Sequence, residues 1–127
     1  AWGLEPALAL GLDPAGVFKT LRVSHEKALA GVVIPVASRL DLKAIAKQLV
    51  WKKAQLADPA LAQRTTGYVV GGISPLGQKK ALPTLIDTSA ATHETVFVSG
   101  GRRGLDLELD PKVLAQLTKA SFAEVAK

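Results

Sequence analysis

The chain contains no cysteine and no methionine, only two histidines, and few aromatic residues, which make up 5% of its 127 positions. Without cysteine it can form no disulfide, thiolate nucleophile or cysteine metal site. Two histidines are few for a zinc site, which would have to be filled largely by carboxylates. The scarcity of aromatic rings disfavours a platform on which nucleic-acid bases stack. We therefore expect no bound metal and no cofactor.

Long apolar runs are also missing. No stretch is long enough to cross a bilayer, and the start of the chain lacks a charged segment followed by an apolar one, as a signal peptide would have. The 48% of hydrophobic residues suits one domain with a modest core. These features predict a cytoplasmic protein without membrane contacts and carry no signal for its oligomeric state.

Positive charge is in excess, with a formal net charge of +5. Part of it lies in three doublets, which are Lys52-Lys53, Lys79-Lys80 and Arg102-Arg103. Such clusters indicate a polyanionic partner such as RNA. They are also ordinary on a solvated surface, so charge alone favours nucleic acid only slightly.

Helix starts are marked by aspartates. Asp-Pro occurs at Asp13, Asp58 and Asp110, and each pair predicts a capped helix with proline at its first position. Asp41 predicts another helix, whose apolar positions are Leu42, Ile45, Ala46 and Leu49. Ser121 with Glu124 forms a capping-box pattern and predicts a last short helix.

Strands are predicted between these helices. The apolar runs 17–23 and 29–36 flank a polar stretch and predict a hairpin. Further strands are expected at 53–57, 68–73, 82–87 and 95–99, and the alternating leucines 105, 107 and 109 predict one more. Because the order is not a uniform βαβ alternation, we expect a single α/β domain of mixed α+β type over residues 1–127, with short helices around a mixed sheet.

Four places could carry chemistry. In Gly71-Gly72-Ile73-Ser74-Pro75-Leu76-Gly77, amides freed by the glycines could hold an anion or a carbonyl oxygen, although a plain glycine turn explains the pattern as well. Lys19, inside an apolar strand, is either an outward residue or an inward cation that neutralises a phosphate or polarises an ester. Asp106 shares with Glu108 the face opposite the leucines, and Ser99 lacks a visible base, which favours a hydrogen-bonding role. His25 and His93 are predicted to be solvated loop side chains.

Several segments in one order resemble a known family. They are 17–21 (VFKTL), 40–43 (LDLK), 57–59 (ADP), 66–68 (TGY), 71–80 (GGISPLGQKK), 82–84 (LPT) and 98–106 (VSGGRRGLD). From about Leu10 onward, the chain resembles YbaK-type Cys-tRNA(Pro) deacylases, relatives of the editing domain inserted in many bacterial prolyl-tRNA synthetases. The resemblance implies a curved central sheet and hydrolysis of the ester that joins a wrong amino acid to tRNA.

The resemblance also assigns residues. Lys19, Gly71, Ser99 and Asp106 correspond to the family's catalytic positions, and Thr20, Gly72, Ile73, Ser74 and Pro75 to substrate contacts. The amides of 71–73 would face the oxyanion, Lys19 the terminal phosphate or ester, and Asp106 the substrate's α-ammonium group. We expect Lys79, Lys80, Arg102 and Arg103 to meet RNA phosphates.

The implied reaction needs no enzyme nucleophile, because the substrate's own cysteine thiol is thought to attack its ester. The implied partners are aminoacyl-tRNA, with tRNA(Pro) as the carrier, and prolyl-tRNA synthetase. Two alternatives stay open: an Ala-tRNA(Pro)-type deacylase that uses an attacking water, and a non-catalytic module that binds tRNA or a synthetase. Two departures from the family are expected. Its N-terminal strand and helix are expected to be missing, and Val50-Trp51 stands where the family usually has small residues. Trp51 is expected to fill a gap in the core.

Overall fold

The computed structural model describes residues 16–57, 82–99 and 106–127. Within these ranges the strands are β1 Phe18–His25, β2 Ala28–Pro35, β3 Gln55–Leu56, β4 Thr84–Asp87, β5 Val96–Ser99, β6 Asp106–Leu109 and β7 Ser121–Ala123. The helices are α1 Leu42–Leu49, α2 Pro111–Thr118 and a short 3-10 helix, Thr88–Thr92.

Five strands form one mixed sheet, in the order β3-β1-β2-β4-β7. The β1 strand is antiparallel to both of its neighbours, whereas β2, β4 and β7 run parallel to one another. The remaining two described strands, β5 and β6, form an antiparallel pair. The expected α/β domain of mixed α+β type is confirmed.

The first two strands form the predicted hairpin. Their pairing extends from Phe18 opposite Pro35 to His25 opposite Ala28, so both strands reach further into the polar stretch than expected. Only Glu26 and Lys27 remain as the turn, and Glu26 has a φ of 55°, in the left-handed region that tight turns require. The hairpin therefore places His25 at the end of a strand rather than in a loop.

Both described α-helices begin as predicted. Asp41 accepts a hydrogen bond from the N–H of Ala44 at 3.1 Å, and Asp110 accepts one from the N–H of Lys112 at 2.7 Å. Pro111 occupies the first position of α2, where its missing N–H costs nothing. Each aspartate thus satisfies an amide that the helix itself leaves unpaired.

The two faces of the sheet bury separate cores. Alternate residues of the hairpin pack with α1 on one face, and the fully buried members of that core include Val23, Val32, Ile34 and Ile45. The other face buries Phe18, Val33 and Ile86 against Val96, Val98 and Leu114, which belong to β5 and α2. Because strand side chains alternate, neighbouring residues of β1 belong to different faces.

The prediction of a last short helix from the capping-box pattern of Ser121 and Glu124 is wrong. Residues Ser121–Ala123 form β7, in which Phe122 pairs with Ile86 of β4. The buried carboxylate of Asp87 accepts hydrogen bonds from the N–H groups of Val125 at 3.0 Å and Ala126 at 3.1 Å. These tertiary bonds hold the segment extended and outweigh the local capping signal.

Other predicted elements compare as follows. The strand expected at 53–57 shortens to β3, and those at 82–87 and 95–99 are found as β4 and β5. The helices after Asp13 and Asp58, the strand at 68–73 and the start of the chain lie outside the described residues. No helix in the three described ranges is long and apolar enough to cross a bilayer.

Candidate active site

Lys19 lies near the start of β1, on the face that carries α1. It pairs with Ile34, a member of the α1-side core, and paired residues of antiparallel strands share a face. Its side chain is half-buried, and this desolvation lowers the pKa of Lys19 from its usual 10.5. An ammonium group in such surroundings is poorly screened, so it attracts a nearby anion more strongly than an exposed lysine does.

The start of β1 also meets β5. Val17 and Phe97 form a parallel bridge, and both pack with Val36 in a small apolar cluster. Lys19 and Ser99 each lie two residues beyond the bridged pair, and β1 remains in contact with β5. Since the strand period is two, Lys19 and Ser99 occupy corresponding positions beyond this isolated bridge, although β5 belongs to the separate two-stranded sheet.

The β5–β6 pairing continues this row. Ser99 is paired with Asp106, as Phe97 is with Glu108. Three positions singled out from the sequence, Lys19, Ser99 and Asp106, thus lie on neighbouring strands, and Ser99 is directly paired with Asp106. No sequence pattern indicated the Val17–Phe97 bridge on which this alignment depends.

Thr20 belongs to the opposite face. It pairs with Val33, a member of the core that packs against α2, and only 6% of it is exposed. Its Oγ1 atom is buried and has no hydrogen-bond partner among the described residues. The side chains of Lys19 and Thr20 thus point away from each other, and a substrate contact through the Thr20 hydroxyl stays a prediction.

The remaining predicted site residues lie outside the described ranges. They are the loop residues Gly71, Gly72, Ile73, Ser74 and Pro75 and the basic residues Lys79, Lys80, Arg102 and Arg103. The assignments made for them stay predictions, as does the absence of a cofactor. In the described part of the chain, no three His, Asp or Glu side chains are grouped so that they could hold a metal ion.

His93 lies in the loop after Thr92, as expected, whereas His25 ends β1, and neither side chain is fully solvated. Both are half-buried. His25 stacks on Trp51 with ring centroids 6.0 Å apart, and His93 meets Phe18 edge-on at the same distance. Trp51 packs against the α1-side core, as expected. The contact between His25 and Trp51 joins residues that are distant in sequence, so no local signal indicated it.

Comparison with known proteins agrees with this fold. The model of the aminoacyl-tRNA editing domain matches residues 5–117. An Enterococcus faecalis protein named "Putative Cys-tRNA(Pro)/Cys-tRNA(Cys) deacylase EbsC" is 38% identical over 120 residues, which are 94% of this chain and 73% of that protein. The Bacillus subtilis protein YwhH is 26% identical over 122 residues, or 95% of this chain and 75% of that protein.

Solved structures support the same assignment. One, described as that of "a putative trans-editing enzyme for prolyl tRNA synthetase", has a TM-score of 0.91 and 26% sequence identity, and the match covers 98% of this chain and 79% of that one. Its architecture is therefore shared over almost the whole chain. The chain belongs to the aminoacyl-tRNA editing domain family, an enzyme family of aminoacyl-tRNA deacylases.

Proposed function

We propose that the protein is a trans-acting editing deacylase that removes cysteine from Cys-tRNA(Pro). The observation that carries this proposal is the row of Lys19, Ser99 and Asp106 on neighbouring strands, in which Ser99 is paired with Asp106. This row offers a partly dehydrated cation and a hydroxyl. It resembles a site that positions an ester and stabilises charge more than one built around an enzyme nucleophile and its base.

The proposed nucleophile is the thiol of the substrate's cysteine. Its sulfur forms a bond to the ester carbonyl carbon, the bond from that carbon to the ribose oxygen breaks, and the thiol proton goes to the ribose oxygen. The products are tRNA and a cyclic thiolactone, which water then opens to cysteine. Holding the thiol near the carbonyl raises its effective concentration, which is worth roughly 7–11 kcal/mol in favourable cases.

The protein's part is to hold the substrate and to stabilise the charge that develops on it. Lys19 faces the terminal phosphate or the ester, and the low polarity around it strengthens that contact. Ser99 donates or accepts a hydrogen bond beside it, and Asp106 holds the α-ammonium group. The amides of Gly71, Gly72 and Ile73 face the developing oxyanion, as the resemblance implies.

Selection of the tRNA is proposed to involve prolyl-tRNA synthetase. The support is the description of the structural relative, which names a trans-editing enzyme for that synthetase. The name of the Enterococcus faecalis relative also includes Cys-tRNA(Cys), so the tRNA body need not be read strictly by this chain. The proposal places the protein in the cytoplasm, where tRNAs are charged.

The test follows ester loss from five substrates. The protein is incubated with Cys-, Ser-, Ala- and Pro-tRNA(Pro) and with Cys-tRNA(Cys), each with and without prolyl-tRNA synthetase. The assays of Cys-tRNA(Pro) and Pro-tRNA(Pro) are repeated after exhaustive chelation. We expect rapid loss from Cys-tRNA(Pro), which persists after chelation once the magnesium that folds tRNA is restored. Pro-tRNA(Pro) should survive throughout.

Serine and cysteine esters separate the mechanisms. The two side chains are similar in size, but a hydroxyl is far less ionised and less nucleophilic than a thiol. We expect Ser-tRNA(Pro) to be hydrolysed at least 100-fold more slowly than Cys-tRNA(Pro). Equal rates would show an attacking water, and faster loss of alanine would assign the chain to the Ala-tRNA(Pro) type. Loss of neither ester would leave a binding module.

A further inference from the structure

A second site lies at the other end of β1 from Lys19. It is a groove of about 440 Å³ between the hairpin and the segment that leads into β3. Six residues line it: Ser24, His25, Glu26, Lys52, Lys53 and Gln55. None of them belongs to the row around Lys19.

The groove carries an excess of positive charge and of hydrogen-bond donors. Lys52, Lys53 and Gln55 are exposed, and the pairing of Gln55 with Ser24 keeps their segment beside β1. Glu26 supplies the single carboxylate among the six lining residues, and its Oε1 lies 4.0 Å from His25 Nε2. Two lysines against one carboxylate make the groove complementary to an anion.

The backbone also gives the groove a fixed shape. Lys52 and Lys53 follow Trp51, whose indole packs on the α1-side core and stacks on His25. Val50, the residue before Trp51, has a φ of 57° and turns the chain sharply at the end of α1. The two lysines are therefore carried by an anchored segment rather than by a free loop.

The groove and Lys19 lie along one edge of β1. Lys19 and His25 are six positions apart, so they lie on the same face, whereas Ser24 and its partner Gln55 belong to the opposite one. β5 at one end and β3 at the other both lie along the edge of β1 that β2 leaves open. The six residue steps from Lys19 to His25 span about 20 Å, and stacked nucleotides advance about 3.4 Å each, so the separation equals roughly six nucleotides.

We propose that this groove binds the phosphodiester backbone of the aminoacyl-tRNA whose ester lies at Lys19, roughly six nucleotides from that ester. The inference rests on the proposed function for the identity of the RNA. Lys52 and Lys53 contact phosphate oxygens, and the exposed Gln55 lies beside them. The groove thus supplies affinity for RNA while the row around Lys19 acts on the ester.

Binding of deacylated tRNA(Pro) transcript tests the groove without any chemistry. Fluorescence anisotropy is measured between 50 and 200 mM salt for wild type and for the double variant Lys52→Gln/Lys53→Gln. Loss of two phosphate contacts should weaken binding at least fivefold at low salt and reduce the slope of log Kd against log salt by about 1.4 to 1.8. Glu26→Gln should act in the opposite direction and tighten binding.

The charge-matched control is Lys112→Gln/Lys119→Gln on and just after α2, where both lysines are exposed. It lowers the net charge equally and should change affinity less than twofold. If it weakens binding as much as the groove variant does, only overall charge matters and the proposal fails. An unchanged affinity and salt slope for Lys52→Gln/Lys53→Gln would also overturn it, leaving a solvated surface.

A short substrate separates this proposal from the proposed function. The cysteinyl ester of the trinucleotide CCA is too short to reach from Lys19 to the groove. The groove variant should hydrolyse it at the wild-type rate, while its KM for Cys-tRNA(Pro) rises with kcat unchanged. If wild type hydrolyses neither ester but the binding results hold, the proposed function fails and the RNA groove stands.

Discussion

Lysines lie beside both ends of β1, in different surroundings. At one end, Lys19 lies on a regular strand, half-buried and with a lowered pKa, and this strand contacts β5, which carries Ser99. At the other, Lys52 and Lys53 project from an irregular segment and are exposed. Water and salt screen the exposed pair strongly and the half-buried lysine weakly.

This difference separates two tasks. A dehydrated cation at a fixed position can stabilise charge that develops at one atom, because little solvent must reorganise around it. Exposed lysines suit a polyanion, whose many phosphates each add a modest, salt-dependent term. One strand can therefore support chemistry at one end and RNA binding at the other, and variants at each end should change different measurements.

The largest effect is expected at the Lys19 end. Lys19→Ala should lower kcat for Cys-tRNA(Pro) by about 100- to 1,000-fold, the range seen when a charge-stabilising donor is removed. Lys47→Ala, an exposed lysine on α1, is the control and should keep full activity. The fold is checked by thermal unfolding. An unchanged kcat in well-folded Lys19→Ala protein would show that Lys19 is only an outward residue of the strand.

A smaller effect is expected at the next residue, on the opposite face. Thr20→Val replaces a buried hydroxyl that has no hydrogen-bond partner among the described residues with a methyl group of similar size. Removing its desolvation cost should raise the free energy of unfolding by about 1 kcal/mol, measured by urea denaturation. KM decides whether the hydroxyl also binds substrate: a rise supports the contact that the resemblance implies, and an unchanged KM removes it.

Near the groove, a substitution can relieve backbone strain without changing the charge. Val50 ends α1 in the left-handed region and is 91% exposed, so a β-branched side chain bears the strain without packing in return. Val50→Gly should raise the free energy of unfolding by about 0.5–1 kcal/mol. Lys119 ends α2 in the same conformation and is not β-branched, so Lys119→Gly should gain less. A loss of stability in Val50→Gly would contradict this account.

Much of this comparison could be predicted from the sequence, because it depends on local signals. Asp41 and Asp110 marked their helices, and the apolar alternation marked the hairpin, since caps and strand periods act within a few residues. Lys19 and Ser99 could be singled out individually. Their alignment could not, because the Val17–Phe97 bridge joins positions 80 residues apart in the chain.

Errors arose where distant contacts outweighed local ones. Ser121 and Glu124 carry a good capping pattern, yet Asp87 binds the following amides and β4 pairs with the segment. In the sequence, only the doublet Lys52-Lys53 indicated the RNA groove. Its shape depends on the left-handed Val50 and on Trp51 stacking against His25, and neither is encoded by a neighbouring residue.

The smallest expected effect is the titration of Lys19 itself. Burial disfavours the ammonium form, so the pKa of Lys19 in the folded protein lies below its usual 10.5, and NMR of its ε-carbon should show a midpoint on the acid side of that value. Between the two pKa values the unfolded chain binds more protons, so this group makes stability rise with pH and stops doing so above 10.5. Lys19→Met, which identifies the resonance, should lose that rise. Deacylated tRNA bound at the site should move the midpoint back upward, because a phosphate beside Lys19 favours its charged form, and an unmoved midpoint would place the terminal phosphate elsewhere.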